Sequence, residues 1–289
     1  MKCALGLLMF TLVCAAIYAQ TALSAPGRQP PGDGQQPAAP ISPEGPPPLS
    51  SQVTGASTTP VPISAEPHHR PVLLNDFVHV YNVGVPPLDA TLLHQHDLPY
   101  LYVTLGQAEI VNAVVGQPQV NMTLEDGETH YNPGHFAHLV RTDSGLPFHN
   151  ITVELPRSQG ATRNLCKEVL PGQPSDCPRE SAAGKKPPAE AADDDIPYFE
   201  TDELRVDLRK VSSGRDYVEE APKMNALLIG LTNANLDAHF GGEHIQFLHG
   251  GDVLWMPAGI LRRVLDFLGT HSSFLLISFK DSAPGTTLP

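Results

Sequence analysis

Basic residues are scarce in this chain of 289 residues, which carries 18 Lys and Arg against 31 Asp and Glu. The formal net charge at pH 7 is −13, and no basic cluster is longer than Lys185-Lys186. Nucleic acids and anionic membrane surfaces attract proteins that present basic patches. We therefore expect neither as a partner. Long apolar runs are also lacking after Ala19, so no membrane span is expected beyond the amino terminus.

The amino terminus has the pattern of a secretory signal. Met1-Lys2 precedes an apolar run from Cys3 to Ala19, and small residues follow it. A basic start, an apolar middle and a small-residue cleavage zone are typical of a signal peptide, here over residues 1–25 with cleavage after Ala19 or Ala25. An uncleaved anchor and a lipid on Cys14 are the alternatives. The sequence thus predicts a secreted or periplasmic protein.

Cysteine is rare, with four residues in the whole chain. Two of them would leave with the signal peptide, so the mature chain keeps Cys166 and Cys177. In an oxidising compartment such a pair is most simply a disulfide. The alternative, a metal or redox pair, needs partner residues that the segment does not offer.

Helical periodicity is lacking from about His68 to Pro156. Residues 68–158 and 197–282 instead contain short β-rich runs separated by Gly, Pro, Asn and Asp, which indicates an all-β protein built as sandwiches or barrels. Residues 26–67 are rich in Pro and Gly, and we expect a disordered tether, or a proline-rich ligand for another domain. Residues 159–196 are polar and predict a linker that carries the disulfide.

The two β-rich blocks repeat each other. A shift of 126 positions places Leu105 on Leu231, and a shift of 124 places Gly127 on Gly251 and Pro133 on Pro257. The chain is therefore predicted to contain a duplicated β-module, which is the unit to interpret.

Histidines mark the candidate site in the first block. If residues 92–106 contain a strand, His94 and His96 lie on one face of it. The stretch from Gly127 to His138 can bring a third imidazole from a neighbouring strand. Several imidazoles aimed into an apolar barrel each need a partner there, and a metal ion is one that suits them all.

This spacing resembles the cupin superfamily, whose first motif is Gly, five residues, His-x-His, three or four residues, Glu, six residues and Gly. His94 and His96 match it, whereas Leu88 replaces the first glycine, Gly106 comes one residue early and no carboxylate occupies the Glu position. The second motif is Gly, five residues, Pro-x-Gly, two residues, His, three residues and Asn. This motif is matched more closely, because Gly127, Pro133 and His138 have the family spacing. Thr142 occupies the position of the Asn. Gly134 is displaced by one residue, so His135 occupies the position of the second glycine.

The resemblance implies two cupin-like double-stranded β-helix barrels in tandem, with His94, His96 and His138 as metal ligands in the first. The second block resembles a cupin that has lost its metal. Its His-x-His place reads Glu220-Ala221-Pro222, and Arg262 stands where the second-motif histidine would be. A permanently cationic guanidinium cannot replace imidazole as a ligand.

Several other residues near the motifs have two interpretations each. Tyr100 and Tyr102 share the inward parity of the histidines, so they line a cavity or simply pack in the barrel. His130, His135 and His149 are proton shuttles or surface residues. Glu154 is a catalytic carboxylate or part of a salt bridge at the rim.

The function that the resemblance implies is metal-dependent chemistry on a small organic molecule. Cupin dioxygenases, decarboxylases and isomerases are the enzyme classes concerned, and an all-histidine site suits Fe, Zn, Cu, Ni or Mn. A small-ligand-binding module without catalysis, and a structural cupin without metal, are the alternatives. No residue is identified as a catalytic acid or base. A homodimer is expected because barrels of this superfamily often associate.

Overall fold

The described part of the chain is built from β-strands. In this computed structural model it comprises residues 59–177, 195–211, 216–220, 222–231, 236–240, 245–266 and 272–280. These residues contain no α-helix and one 3-10 helix, Ile63–Ala65. None of their helices is long and apolar enough to cross a membrane. The predicted signal peptide and most of the predicted tether lie outside the described residues.

Ten strands form the first barrel, in two facing sheets. They are β1 (Val61–Pro62), β2 (His69–Leu74), β3 (His79–Val85), β4 (His94–His96), β5 (Tyr100–Thr104), β6 (Ala108–Val114), β7 (Val120–Leu124), β8 (Thr129–Asn132), β9 (Phe136–Arg141) and β10 (Phe148–Glu154). One sheet has the order β1-β4-β9-β6-β7 and the other the order β2-β3-β10-β5-β8. Neighbouring strands are thus often distant in sequence, as in a jelly roll.

The second barrel repeats this arrangement. Its strands are β11 (Arg163–Asn164), β12 (Ile196–Glu200), β13 (Leu204–Val211), β14 (Asp216–Glu219), β15 (Asn225–Gly230), β16 (Leu236–Phe240), β17 (Ile245–Leu248), β18 (Val253–Met256), β19 (Arg262–Asp266) and β20 (Ser272–Phe279). The sheet orders are β11-β12-β13-β20-β15-β18 and β14-β19-β16-β17. Apart from β1 and β11, each strand corresponds to the one ten places earlier, so the predicted duplicated all-β module is confirmed.

Side-chain alternation in β5 and β10 separates a barrel interior from an interface. Leu101 and Ile151 face the second barrel, where they join a buried cluster with Phe199, Ile229 and Ile277. Each side chain buried in this way contributes roughly 1.5–3 kcal/mol. The intervening residues of the same strands point the other way, into the first barrel.

The interiors of the two barrels differ. The second is filled by an apolar cluster that includes Leu228, Met256, Val264 and Leu276. In the first barrel, apolar residues around Phe148 occupy one part of the interior, and histidines, tyrosines and amides surround a cavity in the rest. Among the described residues, the barrel interior with space for a ligand is therefore the first.

The segment between the barrels carries the predicted disulfide, Cys166–Cys177. The buried side chain of Asn164 organises the loop, because its Oδ1 accepts from the N–H groups of Val169 and Leu170. The carbonyl of Val169 in turn accepts from the N–H of Tyr131 in β8. These bonds fasten the loop to the first barrel, and its Pro171 reaches the cavity wall.

The first barrel includes residues that precede the predicted barrel boundary at His68. Strand β1 pairs in parallel with β4 through Val61 and His94. Glu66 is buried, although the sequence places it in the tether of residues 26–67. The proline-rich composition of residues 26–67 predicts a tether, so the sequence does not indicate that Glu66 contributes to the candidate site.

Candidate metal centre

Three histidines from two adjacent strands meet inside the first barrel. Strands β4 and β9 are antiparallel, and His94 lies directly opposite His138. His96 lies on the same face of β4, two residues further on. The ring centroids are 4.5 Å apart for His94 and His138, and 5.1 Å apart for His96 and each of the other two. All three side chains are buried.

A fourth histidine joins them from the facing sheet. His69, at the start of β2, has its ring centroid 4.7 Å from that of His94 and 6.1 Å from that of His96. One nitrogen each from His69, His94 and His96 lies within 4.8 Å of the other two, which is close enough to hold one ion; His138 is not part of this group. His69 is not among the ligands predicted from the sequence, and its only local signal is the pair His68-His69 directly before a β-rich run.

Three of the four rings are held by oxygen acceptors at Nδ1. His69 Nδ1 bonds Glu66 Oε2 at 2.6 Å, His94 Nδ1 bonds the carbonyl of Leu92 at 2.9 Å, and His138 Nδ1 bonds Asn112 Oδ1 at 2.9 Å. Such oxygens accept but do not donate, so Nδ1 carries the hydrogen in each ring. The lone pair is then on Nε2, which is the arrangement found around metal-ligating histidines.

The Nε2 atoms of His94 and His138 are buried without a hydrogen-bond partner in the described structure. Buried polar groups are nearly always paired, and leaving one unpaired costs about 1–3 kcal/mol. Two such atoms, on rings 4.5 Å apart, fit a bound metal ion. Nδ1 of His96 is also unpaired, with Glu154 Oε1 3.6 Å away.

Burial keeps these imidazoles neutral. It lowers the pKa of His94 to about 4 and also lowers the pKa of His96 and His138. Burial would raise the pKa of Glu66, but hydrogen bonds from His69 and His68 outweigh it and lower the pKa to about 2. At pH 7 the rings of His94, His96 and His138 are therefore neutral, and the carboxylate of Glu66 places a negative charge directly behind His69.

A cavity of about 120 Å³ adjoins the four histidines. Tyr100 stacks on His96 with the ring centroids 4.1 Å apart, and Tyr102 stacks on His130 at 4.9 Å. Both tyrosines line the cavity, which is one of the two positions that their alternation along β5 allows. His130 lines it as well, and its Nε2 lies 2.9 Å from Glu128.

The chain resembles known proteins in fold but not in sequence. No protein-family profile and no curated protein sequence matches the chain. A variant of salicylate 1,2-dioxygenase from Pseudoaminobacter salicylatoxidans, solved in complex with gentisate, is similar over 79% of this chain and 77% of its own, with a TM-score of 0.52 and 12% identity. The chain has the cupin fold.

Two further solved structures are similar at lower scores. A cupin 2 conserved barrel domain protein from Leptotrichia buccalis covers 73% of this chain and 88% of its own, with a TM-score of 0.47 and 12% identity. AerE from Microcystis aeruginosa covers 75% and 99%, with a TM-score of 0.49 and 14% identity. Identities this low relate folds only. At that level the predicted cupin fold is confirmed by the similarity to the salicylate 1,2-dioxygenase variant.

The second cupin motif closes against β4 through an unusual turn. Gly134 has φ 75° and His135, in the glycine place of the motif, has φ 61°. The N–H of His135 donates to the carbonyl of His96 at 2.6 Å. Thr142, in the Asn place, donates its hydroxyl to the carbonyl of Pro86 at 2.6 Å. These two motif residues hold the backbone around the site and do not line the cavity.

No carboxylate stands at the glutamate position of the first cupin motif, but Glu154 on β10 comes near the cluster. Its Oε atoms lie 3.6 Å from His96 Nδ1 and 3.8 Å from His79 Nδ1. Burial, with a smaller contribution from Asp97, raises its pKa to about 7. Glu154 is thus a buried neighbour of His96, deeper than the rim salt bridge that the sequence allowed.

The second cupin barrel has an ion pair at the equivalent place. Arg262 lies opposite Glu219 on adjacent strands, as His138 lies opposite His94. The guanidinium is buried and donates to Glu219 at 3.1 Å and to the carbonyl of Met256 at 3.0 Å. The motif spacing predicts Glu220 at the first ligand position, whereas the strand register places Glu219 there.

Proposed function

We propose that the first cupin barrel binds one divalent transition-metal ion through His69, His94, His96 and His138, and acts on a small organic molecule in the adjoining cavity. The observation that carries the proposal is the pair of buried, unpartnered Nε2 atoms on His94 and His138. In these imidazoles Nδ1 already donates its hydrogen, so a buried Nε2 without a partner is unfavourable unless a metal ion accepts its lone pair.

The set of four imidazole ligands restricts which metal ions the site can bind. Neutral nitrogen ligands suit Fe, Zn, Cu, Ni or Mn better than Ca or Mg, which prefer oxygen. Such an ion supplies a Lewis acid or a redox centre. The residues of the chain hold the ligand rings, exclude bulk water and shape the cavity. The proposed reaction classes are a dioxygenase-like oxidation, a decarboxylation or an isomerisation, and the similarity to a dioxygenase solved with gentisate is consistent with the first.

The number of imidazoles supports a second candidate, a binding module without catalysis. Zinc sites with four protein ligands are usually closed structural sites, whereas catalytic sites keep a position for water or substrate. Titration of azide into the cobalt-loaded chain separates the two candidates. An absorbance change indicates an open coordination position, as an enzyme requires, and an unchanged spectrum indicates a closed site.

Metal analysis of the chain, purified without a histidine tag, tests the proposal. We expect one transition-metal ion per chain after reconstitution and dialysis, measured by plasma mass spectrometry. The second barrel is expected to add none, because Arg262 and Glu219 occupy its equivalent place. A chain that retains no ion from Fe, Zn, Cu, Ni or Mn solutions would contradict the proposal.

His69 and Glu66 provide a separate prediction. We expect His69→Ala to weaken metal binding by at least about tenfold, and Glu66→Gln to weaken it by about 10–100-fold, as is typical when the partner of a ligating histidine is changed. Isothermal titration with zinc measures both. His149→Ala is the control, because His149 bonds Asn82 outside the cluster. Equal affinities in all four proteins would remove His69 from the ligand set.

We also propose that the protein is exported, with a signal peptide over residues 1–25 and a tether that follows it and ends before strand β1 (Val61–Pro62). The Cys166–Cys177 disulfide supports this, because disulfides persist in oxidising compartments.

A further inference from the structure

His130 lies on the wall of the first-barrel cavity but outside the four-histidine cluster. Its strand, β8, and β2, which carries His69, are the two edges of one sheet. The register partner of His130 in β5 is Tyr102, and the two rings stack with their centroids 4.9 Å apart. The cavity therefore has the histidine cluster on one part of its wall and His130 on another.

The hydrogen-bond partner of His130 fixes its tautomer. Nε2 lies 2.9 Å from Oε1 of Glu128, and a carboxylate oxygen accepts but does not donate, so Nε2 carries the hydrogen. The lone pair is then on Nδ1, whereas in His69, His94 and His138 it is on Nε2. Nδ1 of His130 has no hydrogen-bond partner among the described residues and, unlike Nε2 of His94 and of His138, it is not completely buried.

Glu128 and the strand that carries His130 are both held in place. Oε2 of Glu128 accepts the backbone N–H of Glu125 at 2.8 Å. The backbone N–H of Tyr131 donates to the carbonyl of Val169 in the disulfide loop at 2.8 Å. A fixed carboxylate on one ring nitrogen and a free lone pair on the other is the arrangement that lets the histidine of a Ser-His-Asp triad accept a proton.

The surroundings of His130 make its ring a base at pH 7. Burial has the largest effect and lowers the pKa of His130. Glu128 opposes it through its charge and its hydrogen bond, Lys167 lowers the pKa and Glu168 raises it. The pKa would be lower still beside a bound cation. The ring is thus neutral before it takes a proton, and the carboxylate of Glu128 stabilises the imidazolium that forms.

We propose that His130 is the proton acceptor of the first cupin barrel and that Glu128 is its positioning residue. Nδ1 takes a proton from an oxygen or carbon atom of the molecule in the cavity. The bond between that atom and hydrogen breaks, its electron pair stays on the molecule, and an N–H bond forms. The substrate class is therefore a small molecule with an ionisable hydrogen, on a hydroxyl or on a carbon beside a carbonyl group. The inference rests on the proposed function for its reaction, whereas the pair of His130 and Glu128 exists with or without metal.

Nitrogen NMR of the full chain with isotopically labelled histidine tests the tautomer. The chain is measured after chelation and again after loading with zinc, and His130→Gln identifies the signals of His130. We expect the hydrogen on Nε2 in both forms, and a pKa below about 6.5, the ordinary value for histidine. A hydrogen on Nδ1 in either form would overturn the proposal.

Two matched variants test the role of Glu128 in the same measurement. Glu128→Gln is expected to lower the pKa of His130 further, because the carboxylate that raises it is gone. Glu109→Gln is the control, since it removes one carboxylate from an exposed position on β6, and we expect no change. Equal pKa values for His130 in the two variants would overturn the proposal.

Alkylation by bromoacetamide tests whether Nδ1 of His130 is reachable and reactive. The reagent is small and uncharged, and the nitrogen attacks its CH₂ carbon while bromide leaves. His135 is exposed and serves as the internal reference. At pH 8 in the zinc-loaded chain, we expect Glu128→Gln to lower the ratio of the rates at His130 and His135 by at least about fivefold, the effect of one charge-assisted hydrogen bond.

Peptide mass spectrometry measures both rates. Glu109→Gln is expected to keep the ratio of the parent chain. An unmodified His130 in the parent chain, or the same ratio in both variants, would overturn the proposal.

Metal content measured on the same samples separates this inference from the proposed function. If His130 has its hydrogen on Nε2 and reacts in a way that depends on Glu128, but the chain takes up no metal, the proton acceptor stands and the metal proposal fails. If the chain takes up one ion but His130 has the opposite tautomer or does not react, the metal proposal stands and this inference is wrong.

Discussion

A chain in which His94 and His96 are both replaced by alanine is expected to bind no metal in the first barrel while remaining folded. The substitutions remove two of four imidazoles, including one of the two whose Nε2 has no partner. The remaining pair, His69 and His138, comes from facing sheets and leaves an ion with two protein ligands instead of four. Metal content after dialysis and circular dichroism of the strands measure the two parts of this result.

The matched control is His149→Ala combined with His249→Ala. Both residues lie outside the cavity wall, so the control loses as many imidazoles from the chain and none from the cluster. We expect it to keep one ion per chain. Unchanged metal content in the His94 and His96 double variant would refute the ligand assignment, and loss of metal in both double variants would point to unfolding or to non-specific binding.

Gly134→Ala is expected to destabilise the first barrel by about 3 kcal/mol or more. A Cβ placed on Gly134 would lie 2.2 Å from the carbonyl oxygen of Leu98, and the residue has φ 75°. The clash is with backbone, so no side-chain rotation relieves it. Because the next residue, His135, bonds the carbonyl of His96, we also expect weaker metal binding. Urea unfolding and zinc titration measure the two effects.

Gly145→Ala is the control for this substitution. A Cβ at Gly145 meets no atom within 4 Å, and its backbone is not in the left-handed region. We expect its unfolding free energy to stay within about 0.5 kcal/mol of that of the parent chain. If the two glycine variants were equally stable, the close approach of the second cupin motif to Leu98 would not exist in solution.

Much of the fold could be predicted from local pattern. Short alternating runs between turn residues fixed the strand character of both blocks, and the repeat of Gly127 at Gly251 indicated two copies of one module. The strand parity of His94 and His96 also predicted their common face, since alternation is a property of any extended chain. These inferences needed no knowledge of which strands become neighbours.

Motif spacing predicted equivalent positions less reliably where a loop lies between them. Counting residues placed Glu220 in the position equivalent to His94, but pairing with β19 places Glu219 there. The lengths of turns differ between the two barrels, so a fixed offset loses the register by one residue. A one-residue error moves a side chain to the opposite face of a strand.

The sequence by itself determined an all-β chain of two related modules, a disulfide pair and a strand face with two histidines. Only the tertiary structure decided that His69 and Glu66 belong to the same cluster. Local periodicity sets which way a side chain points along its own strand, but the meeting of His69 with His94 depends on how two sheets close over each other. The cavity wall arises in the same way, because it is assembled from strands far apart in the sequence.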